Sequence, residues 1–229
     1  MASKISALIL NDVLPRMQIT SADTRVTYAN LLSYCQKVYE DLFYSIVDQN
    51  PEIYGTLGYA KFFANQPSCT LSANIADYDL SQTWLKVDIK ESTSAEYKTA
   101  MEVSWNDITN PNATFSWDKP VFSLYGDLMY VWPLPTADVV SGAKIYHTEA
   151  VSSLSGNVAH NLPSGWEDAL INGVVYHGLE QLGESNRSVK FLNDYQIEKS
   201  KRLQEVSRRS KTRRRMRDIR ENYFGTYFE

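Results

Sequence analysis

The stretch Asn161–Glu198, NLPSGWEDALINGVVYHGLEQLGESNRSVKFLNDYQIE, decides the helical part of the fold. Ser164 and Glu167 have the spacing of a capping box, which predicts that a helix begins here. Gly183 and the short polar turn ESNR end that helix, and a second helical pattern follows at once. Because a connection this short joins neighbouring antiparallel helices, the sequence predicts a helix hairpin.

Each predicted helix of the hairpin has one stripe of apolar or small residues at steps of three and four. The first stripe comprises Trp166, Ala169, Leu170, Gly173, Val174, His177 and Gln181. The second comprises Phe191, Leu192, Tyr195, Lys199, Leu203 and Val206. Gly173 and Gly178 lower helix propensity, so we expect another part of the chain to approach closely at both glycines.

Two further helices are predicted near the N-terminus. The first spans Ser3 to Leu14, and Pro15 is expected to end it. The second begins after Thr27, a residue type that caps helix N-termini, and Asn50-Pro51 ends it. Since neither pair of helices can bury its apolar stripe alone, we expect all four to pack together as one bundle.

The region between the two helix pairs has the pattern of β-strands. SQTWLKVDIKES alternates apolar and polar residues, and EYKTAMEVSWND, ATFSWDKPVFSLYG, DLMYVWPLP and KIYHTEAV are further candidates. The spacing of the turn signals predicts about five to seven strands. The fold class is therefore α+β, with a discontinuous helical domain at 1–55 and 152–207, a β-rich insertion at 56–151 and an extended arm at 208–229.

Charge is distributed very unevenly along the chain. The net charge is −4, yet residues 187–220 contain 13 Lys and Arg against 4 Asp and Glu. The protein is thus an acidic body with a basic C-terminal arm. No apolar run is long enough to cross a membrane, and the two cysteines, Cys35 and Cys69, are expected to be buried thiols of a reducing compartment.

The arm is the strongest functional signal in the sequence. After Val206 the apolar periodicity fails, so this segment is predicted to be unstructured by itself. Four aromatic residues follow the basic block, as in peptides that dock in a protein groove. A solvated tail and a DNA-binding arm that neutralises phosphates are the alternatives. The candidate docking residues are Arg208, Arg209, Lys211, Arg213, Arg214, Arg215, Arg217, Tyr223, Phe224, Tyr227 and Phe228.

Signals for catalysis or metal binding are weak. His147, His160 and His177 have no metal-ligand spacing with one another or with cysteine, and the chain has no nucleophile elbow or phosphate-binding loop. We therefore predict no enzyme activity, no metal and no cofactor. A second hypothesis is a platform on which sugars or bases stack, formed by Trp84, Trp105, Trp117 and Trp132. The alternative interpretation is that these aromatic residues occupy half-buried strands.

Three stretches resemble the head-to-tail adaptor, or connector, proteins of tailed bacteriophages, especially podovirus-type tail-tube adaptors. They are Val26–Phe43, Leu128–Val151 and Asn161–Glu198. The middle stretch is similar to that family's strand, proline-rich bend and strand, and the last to its closing helix pair. Residues 56–127 resemble nothing that we can name.

The resemblance implies a structural protein of the virion neck that assembles in the host cytoplasm. Such adaptors form a ring, commonly twelve-fold, beneath the portal protein. The ring contacts tail or nozzle proteins and continues the channel through which genomic DNA passes without sequence-specific binding. The C-terminal arm of similar proteins docks on the portal, and no membrane or cofactor is implied. An acidic body agrees with a channel wall that does not hold DNA.

Two other functions compete with the adaptor. A packaging or regulatory protein that binds nucleic acid through the basic arm would bind DNA as a monomer or dimer, with strong salt dependence. A carbohydrate-binding module would use the aromatic insertion and would keep its affinity without the arm. A virion adaptor is expected instead to form a high-order ring without sequence-specific DNA affinity.

Overall fold

The structure, a computed structural model, describes residues 4–75, 84–108 and 114–224, with the side chains of 4–75, 85–107 and 114–208. The chain is an α+β protein with two compact units. The first consists of Met1–Asn50 with Val151–Glu229, and the second of Pro51–Ala150. Independent folding of two domains, with boundaries at residues 55 and 152, stays a prediction.

The first unit begins with a helical segment that runs through a proline. Helix α1 (Ile5–Leu8) leads into a π-helical turn (Ile9–Val13) and then into α2 (Leu14–Met17), which has Pro15 in its first turn. The prediction that Pro15 ends the helix is therefore wrong. Proline lacks an amide hydrogen, and the first turn of a helix does not need one.

Helix α3 (Tyr28–Gln49) confirms the predicted second helix and its cap. Thr27 Oγ1 accepts the backbone N–H of Asn30 at 3.3 Å, and Asn30 Oδ1 accepts the N–H of Thr27 at 3.1 Å. This reciprocal capping box satisfies two amides that the helix cannot pair itself. Most of the apolar stripe predicted from Tyr28 to Ile46 is buried, although Tyr28 itself is exposed.

Helices α5 (Glu167–Gln181) and α6 (Ser185–Phe224) form the predicted hairpin, but most of the predicted turn ESNR belongs to α6. Gly183 makes the turn with a positive φ of 76°. The predicted capping box at Ser164 is wrong, because α5 begins after Trp166 and has no side-chain cap. Gly165, at φ +91°, and a hydrogen bond from Trp166 N–H to Pro163 O instead form a turn before the helix.

Helix α5 lies inside the first unit rather than on its surface. Its buried residues extend beyond the single predicted stripe and include Ile171, Asn172 and Val175. It contacts α2, the π-helical turn, α3 and α6, so four elements cover most of its circumference. The contacts of α5 thus connect the two helix pairs, while their packing as one bundle stays a prediction.

The second unit contains two four-stranded sheets, with strand orders β1-β8-β3-β4 and β2-β7-β6-β5. All pairs are antiparallel except β5 with β6. The strands are β1 (Gly55–Phe62), β2 (Ser68–Thr70), β3 (Trp84–Ile89), β4 (Lys98–Thr99), β5 (Met101–Glu102), β6 (Val121–Tyr125), β7 (Leu128–Trp132) and β8 (Val139–Thr148).

The predicted strand segments are present, but the predicted count of about five to seven strands is too low. Each of the five quoted segments contains a strand, and β1 and β2 bring the described strands to eight. A short helix, α4 (Trp105–Ile108), follows β5 and overlaps the end of the predicted EYKTAMEVSWND strand region. Residues of both sheets share one buried cluster around Phe62, Ile89 and Met129. Each sheet therefore has one face on this core.

Candidate functional site

The C-terminal helix α6 is attached to the first unit along its first half. Arg187 donates to the backbone oxygen of Arg16 at 3.0 Å, which ties the start of α6 to α2. Ser188 and Val206 of α6 are both buried. The residues predicted for the inner edge between them are half-buried, which confirms that edge.

A carboxylate of α3 holds the middle of α6. Lys199 Nζ lies 2.7 Å from Asp41 Oδ2, and the Tyr195 hydroxyl donates to the same oxygen. Partial burial alone would raise the pKa of Asp41, but the hydrogen bonds from Lys199 and Tyr195 outweigh it and lower that pKa. Burial, followed by the Asp41 contact, raises the pKa of Tyr195. The sequence offered no local signal for Asp41, because its partners are 154 and 158 residues away.

Beyond this attachment, α6 passes the N-terminus of α5. A Cβ on Gly165, two residues before α5, would lie 3.0 Å from the guanidinium of Arg202. Arg202 of α6 therefore lies beside the start of α5. Val206 is the last buried residue among the described side chains of α6. The helix then continues for 18 residues to Phe224, which corresponds to about 27 Å at 1.5 Å per residue.

The structure corrects the predicted extended arm over residues 208–224, which continue α6 without a break. The physical reason lies in the residue types. Residues 207–224 contain no glycine or proline, and arginine, lysine, methionine and glutamate are good helix formers. A helix that is already nucleated in the hairpin needs no apolar stripe of its own to add further turns.

The candidate docking residues are placed as follows. Arg208 is exposed, and its side chain is the last one described. The other basic candidates, Arg209, Lys211, Arg213, Arg214, Arg215 and Arg217, occupy successive turns of α6. Because helical positions advance by about 100° per residue, these positions surround the helix axis. Tyr223 and Phe224 are the last two residues of α6, and Tyr227 and Phe228 lie outside the described residues.

The histidines do not form a common site. His160 and His177 belong to the first unit, where His177 stacks on Tyr34 with ring centroids 5.4 Å apart. His160 is buried, and its Nε2 lies 3.4 Å from Glu167 Oε1, a neighbour that sequence reasoning had not identified. Burial lowers the pKa of His160, although the Glu167 charge opposes this shift. His147 is buried in β8 of the second unit, with Nδ1 2.9 Å from Thr148 O.

Neither cysteine has the properties of a catalytic nucleophile. Both are buried and free of disulfides, as predicted, and burial raises the pKa of each thiol to about 12. An activated thiol needs the opposite shift. The described part of the chain also has no group of three or more His, Cys, Asp or Glu residues that could hold a metal ion.

Two of the four predicted platform tryptophans lie near one another in the second unit. Trp105 and Trp132 both neighbour Tyr130, with ring centroids 4.4 and 6.5 Å away. Trp117 packs against the buried cluster instead, so it is no part of such a platform. The Trp84 side chain lies outside the described residues.

The comparisons with known proteins support one identification. No described helix combines the length and the apolar character that a membrane span requires. The family model of the SU10 adaptor protein matches residues 12–220, which include all of the second unit and most of the first. No curated protein sequence matches the chain. Because the family model covers far more than half of the residues, the chain belongs to the SU10 adaptor protein family.

Proposed function

We propose that this protein is a structural adaptor of a phage virion, not an enzyme, and that it forms a ring beneath the portal. The ring, a dodecamer in this proposal, joins the head to tail or nozzle proteins and continues the channel for genomic DNA. Membership in the SU10 adaptor protein family is the observation that carries the proposal. Assembly in the host cytoplasm and a final position in the neck of the virion follow from the same role.

The projecting part of α6 is the proposed portal-docking element. The hairpin and the Asp41 contacts hold its first half, while the second half extends past the start of α5. A helix anchored at one end presents its far end at a defined position, which reduces the ordering cost of docking. The basic residues would attract an acidic portal surface, and Tyr223, Phe224, Tyr227 and Phe228 would supply the desolvated contacts.

Two measurements test this function. Native mass spectrometry of the isolated ring should give a species with the mass of twelve 26.1-kDa chains. A chain truncated after Val206 should keep its melting temperature but no longer cosediment with portal-bearing heads. Normal cosedimentation of the truncated chain would show that α6 is not the docking element.

Substitutions within the arm separate its two kinds of contact. Replacement of Tyr223, Phe224, Tyr227 and Phe228 with serine should weaken attachment at every salt concentration. Replacement of the arginines with glutamine should weaken attachment mainly at low salt, where charges are least screened. If the serine and the glutamine replacements weaken attachment equally at all salt concentrations, this division of roles is wrong.

The alternative function is a packaging or regulatory protein that binds nucleic acid through the same basic helix. The seven basic residues from Arg208 to Arg217 favour it. It predicts salt-sensitive binding of duplex DNA by a monomer or dimer, with no contribution from the four aromatic residues. A ring that attaches to portal-bearing heads without measurable duplex affinity would exclude this alternative.

A further inference from the structure

One face of the second unit combines tyrosine and lysine side chains. On the sheet β1-β8-β3-β4, the register places Tyr59 beside Lys144 and Leu57 beside Tyr146. On the other side of β8, Lys86 pairs with Tyr146 and Asp88 with Lys144. We call the surface formed by Leu57, Tyr59, Lys86, Tyr97, Lys144 and Tyr146 the lysine–tyrosine face.

The lysines of this face lie against the tyrosine rings. Lys144 Nζ is 5.3 Å from the ring centroid of Tyr146 and 6.0 Å from that of Tyr97. Lys86 Nζ lies 5.7 Å from the Tyr146 ring, and Lys90 Nζ lies 5.0 Å from the Tyr97 ring. The Tyr97 hydroxyl donates to Ser141 O at 2.7 Å, which fixes that ring. The face is therefore a set of mutually positioned rings and ammonium groups.

The face also gathers lysines of an acidic unit. Residues 51–150 contain 6 lysines and 12 acidic residues, and half of those lysines, Lys86, Lys90 and Lys144, belong to the face or border it. Among its described strand positions the acidic residue is Asp88, which is only 7% exposed. Lys86 neutralises Asp88 at 2.8 Å, and Thr99 donates to it at 2.9 Å. Among the described side chains Lys144 forms no salt bridge; a hydrogen bond with Tyr146 and, more weakly, the charge of Asp88 raise its pKa.

Exposed apolar area lies next to Lys144. Tyr59 is 44% exposed and Leu57 is 40% exposed, and both are on the edge strand β1. A ligand that covers the face must offer flat apolar groups and negative charge together. Lysine is depleted in protein–protein interfaces, so a protein partner fits this composition poorly. Nucleic acid fits it well, since bases stack on tyrosine and lysine neutralises phosphates.

A sheet face with exposed rings further distinguishes single strands from duplexes. Paired bases present only their edges in the grooves, whereas a single strand can lay its bases on aromatic side chains. We propose that the lysine–tyrosine face binds single-stranded nucleic acid. This site is separate from the basic helix, and it does not depend on the proposed adaptor role.

The test uses the full-length chain, because the basic part of α6 must be distinguished from the sheet. A 12-nucleotide oligothymidylate with photoreactive 5-iodouracil is cross-linked to the protein, and the modified peptides are mapped by mass spectrometry. We expect cross-links in the peptides that contain Tyr59 and Tyr146. Cross-links confined to residues 208–229 would overturn the proposal.

Variants then measure the contribution of the face. Tyr59→Ser should lower cross-linking at the sheet about 5- to 100-fold, the usual effect of losing one stacking contact, and Tyr59→Phe should restore it. Lys144→Met should reduce the slope of log affinity against log salt by about 0.7. Tyr125→Ser changes an even more exposed tyrosine on the other sheet, so it is the control and should change neither value.

Competition identifies the ligand class. Unlabelled oligothymidylate should abolish the cross-links at the sheet, whereas an equal charge concentration of duplex DNA or heparin should not. If heparin competes as well as the oligonucleotide and Tyr59→Ser has no effect, the face recognises charge alone and the proposal is wrong. Each variant is first checked by its melting temperature, because a misfolded sheet would mimic a loss of binding.

Discussion

Gly173 of α5 lies so close to Val38 of α3 that a Cβ on the glycine would be 2.6 Å from Val38 Cγ1. The same position would be 3.3 Å from the Tyr195 ring of α6. One glycine thus sets the distance between α5 and two of its neighbours. It explains why the centre of a buried helix contains a residue that weakens helices.

Gly173→Ala should therefore destabilise the protein, although alanine is the better helix former. Without a clash the substitution would stabilise α5 by about 1 kcal/mol, whereas overpacking costs about 1–3 kcal/mol. Chemical denaturation measures the net effect. In a Val38→Ala background the same substitution should cost less, with a coupling energy of about 0.5–3 kcal/mol. Strict additivity of the two changes would contradict the contact.

Gly178→Ala should be tolerated better than Gly173→Ala. Its Cβ would lie 2.4 Å from Met17 Cε, an even shorter distance. The neighbour is the end of a flexible thioether, which can turn away, while the branched Val38 side chain is stiff. Chemical denaturation of Gly173→Ala and Gly178→Ala under the same conditions shows which variant loses more stability. A larger loss of stability for Gly178→Ala would show that Met17 has no room to move.

The two glycines also show how far the sequence could predict the fold. Their position in a helical pattern indicated close neighbours, but not which side chains those neighbours are. The sequence predicted the apolar stripe of α3 because polar residues occupy the other sides of that helix. It also predicted the Thr27 cap correctly. The single stripe predicted for α5 was incomplete, because a helix covered on several sides loses that alternation.

The functional surfaces depended even more on the tertiary structure. The sequence showed that the end of α6 is basic, but it did not predict that this segment is helical. The segment has no apolar stripe, and its helix depends on the helix propensity of its residues and on nucleation in the hairpin. Tyr59, Tyr97 and Lys144 are distant in sequence, and only the strand register brings them together. No local pattern could have predicted the lysine–tyrosine face.

The Thr27 cap gives a local test of α3. Thr27→Ala removes the oxygen that accepts the Asn30 N–H, so it should cost about 0.5–2 kcal/mol of stability. Thr27→Ser retains that oxygen and is the matched control. Thermal unfolding followed by circular dichroism compares the three proteins. Equal stability of the alanine and serine variants would mean that water replaces the cap without cost.

Stability should fall when the pH is lowered from 7.5 to 5.5. Burial lowers the pKa of both His160 and His177 in the folded chain. Below about pH 6.5 the unfolded chain therefore binds protons that the folded chain does not yet bind, which favours unfolding. Urea denaturation at both pH values measures the change. Acidic groups with lowered pKa values, such as Asp41, lose their contribution only at lower pH.

Variants of His160 and of its neighbour Glu167 show how much of this loss of stability comes from His160. His160→Met cannot titrate, so the stability should change less with pH. Glu167→Gln removes the charge that favours protonated His160, and the loss of stability should become larger. His177→Gln is the comparison for the second histidine. The same pH dependence in all four proteins would rule out both histidines as its source.

The last prediction asks whether docking needs the helical form of the arm. Thr212→Pro removes one backbone hydrogen bond and clashes with the preceding turn, which breaks or kinks a helix at a cost of about 3 kcal/mol. It leaves every arginine and aromatic residue of the arm in place. Position 212 lies beyond Val206, so the core and the melting temperature should not change. Thr212→Ala retains the helix and is the control.

In the proposed role, Thr212→Pro should lose cosedimentation with portal-bearing heads at both low and high salt, whereas Thr212→Ala should not. If Thr212→Pro attaches normally, charge and aromatic contacts suffice in an extended chain, and the straight projection of α6 has no part in docking.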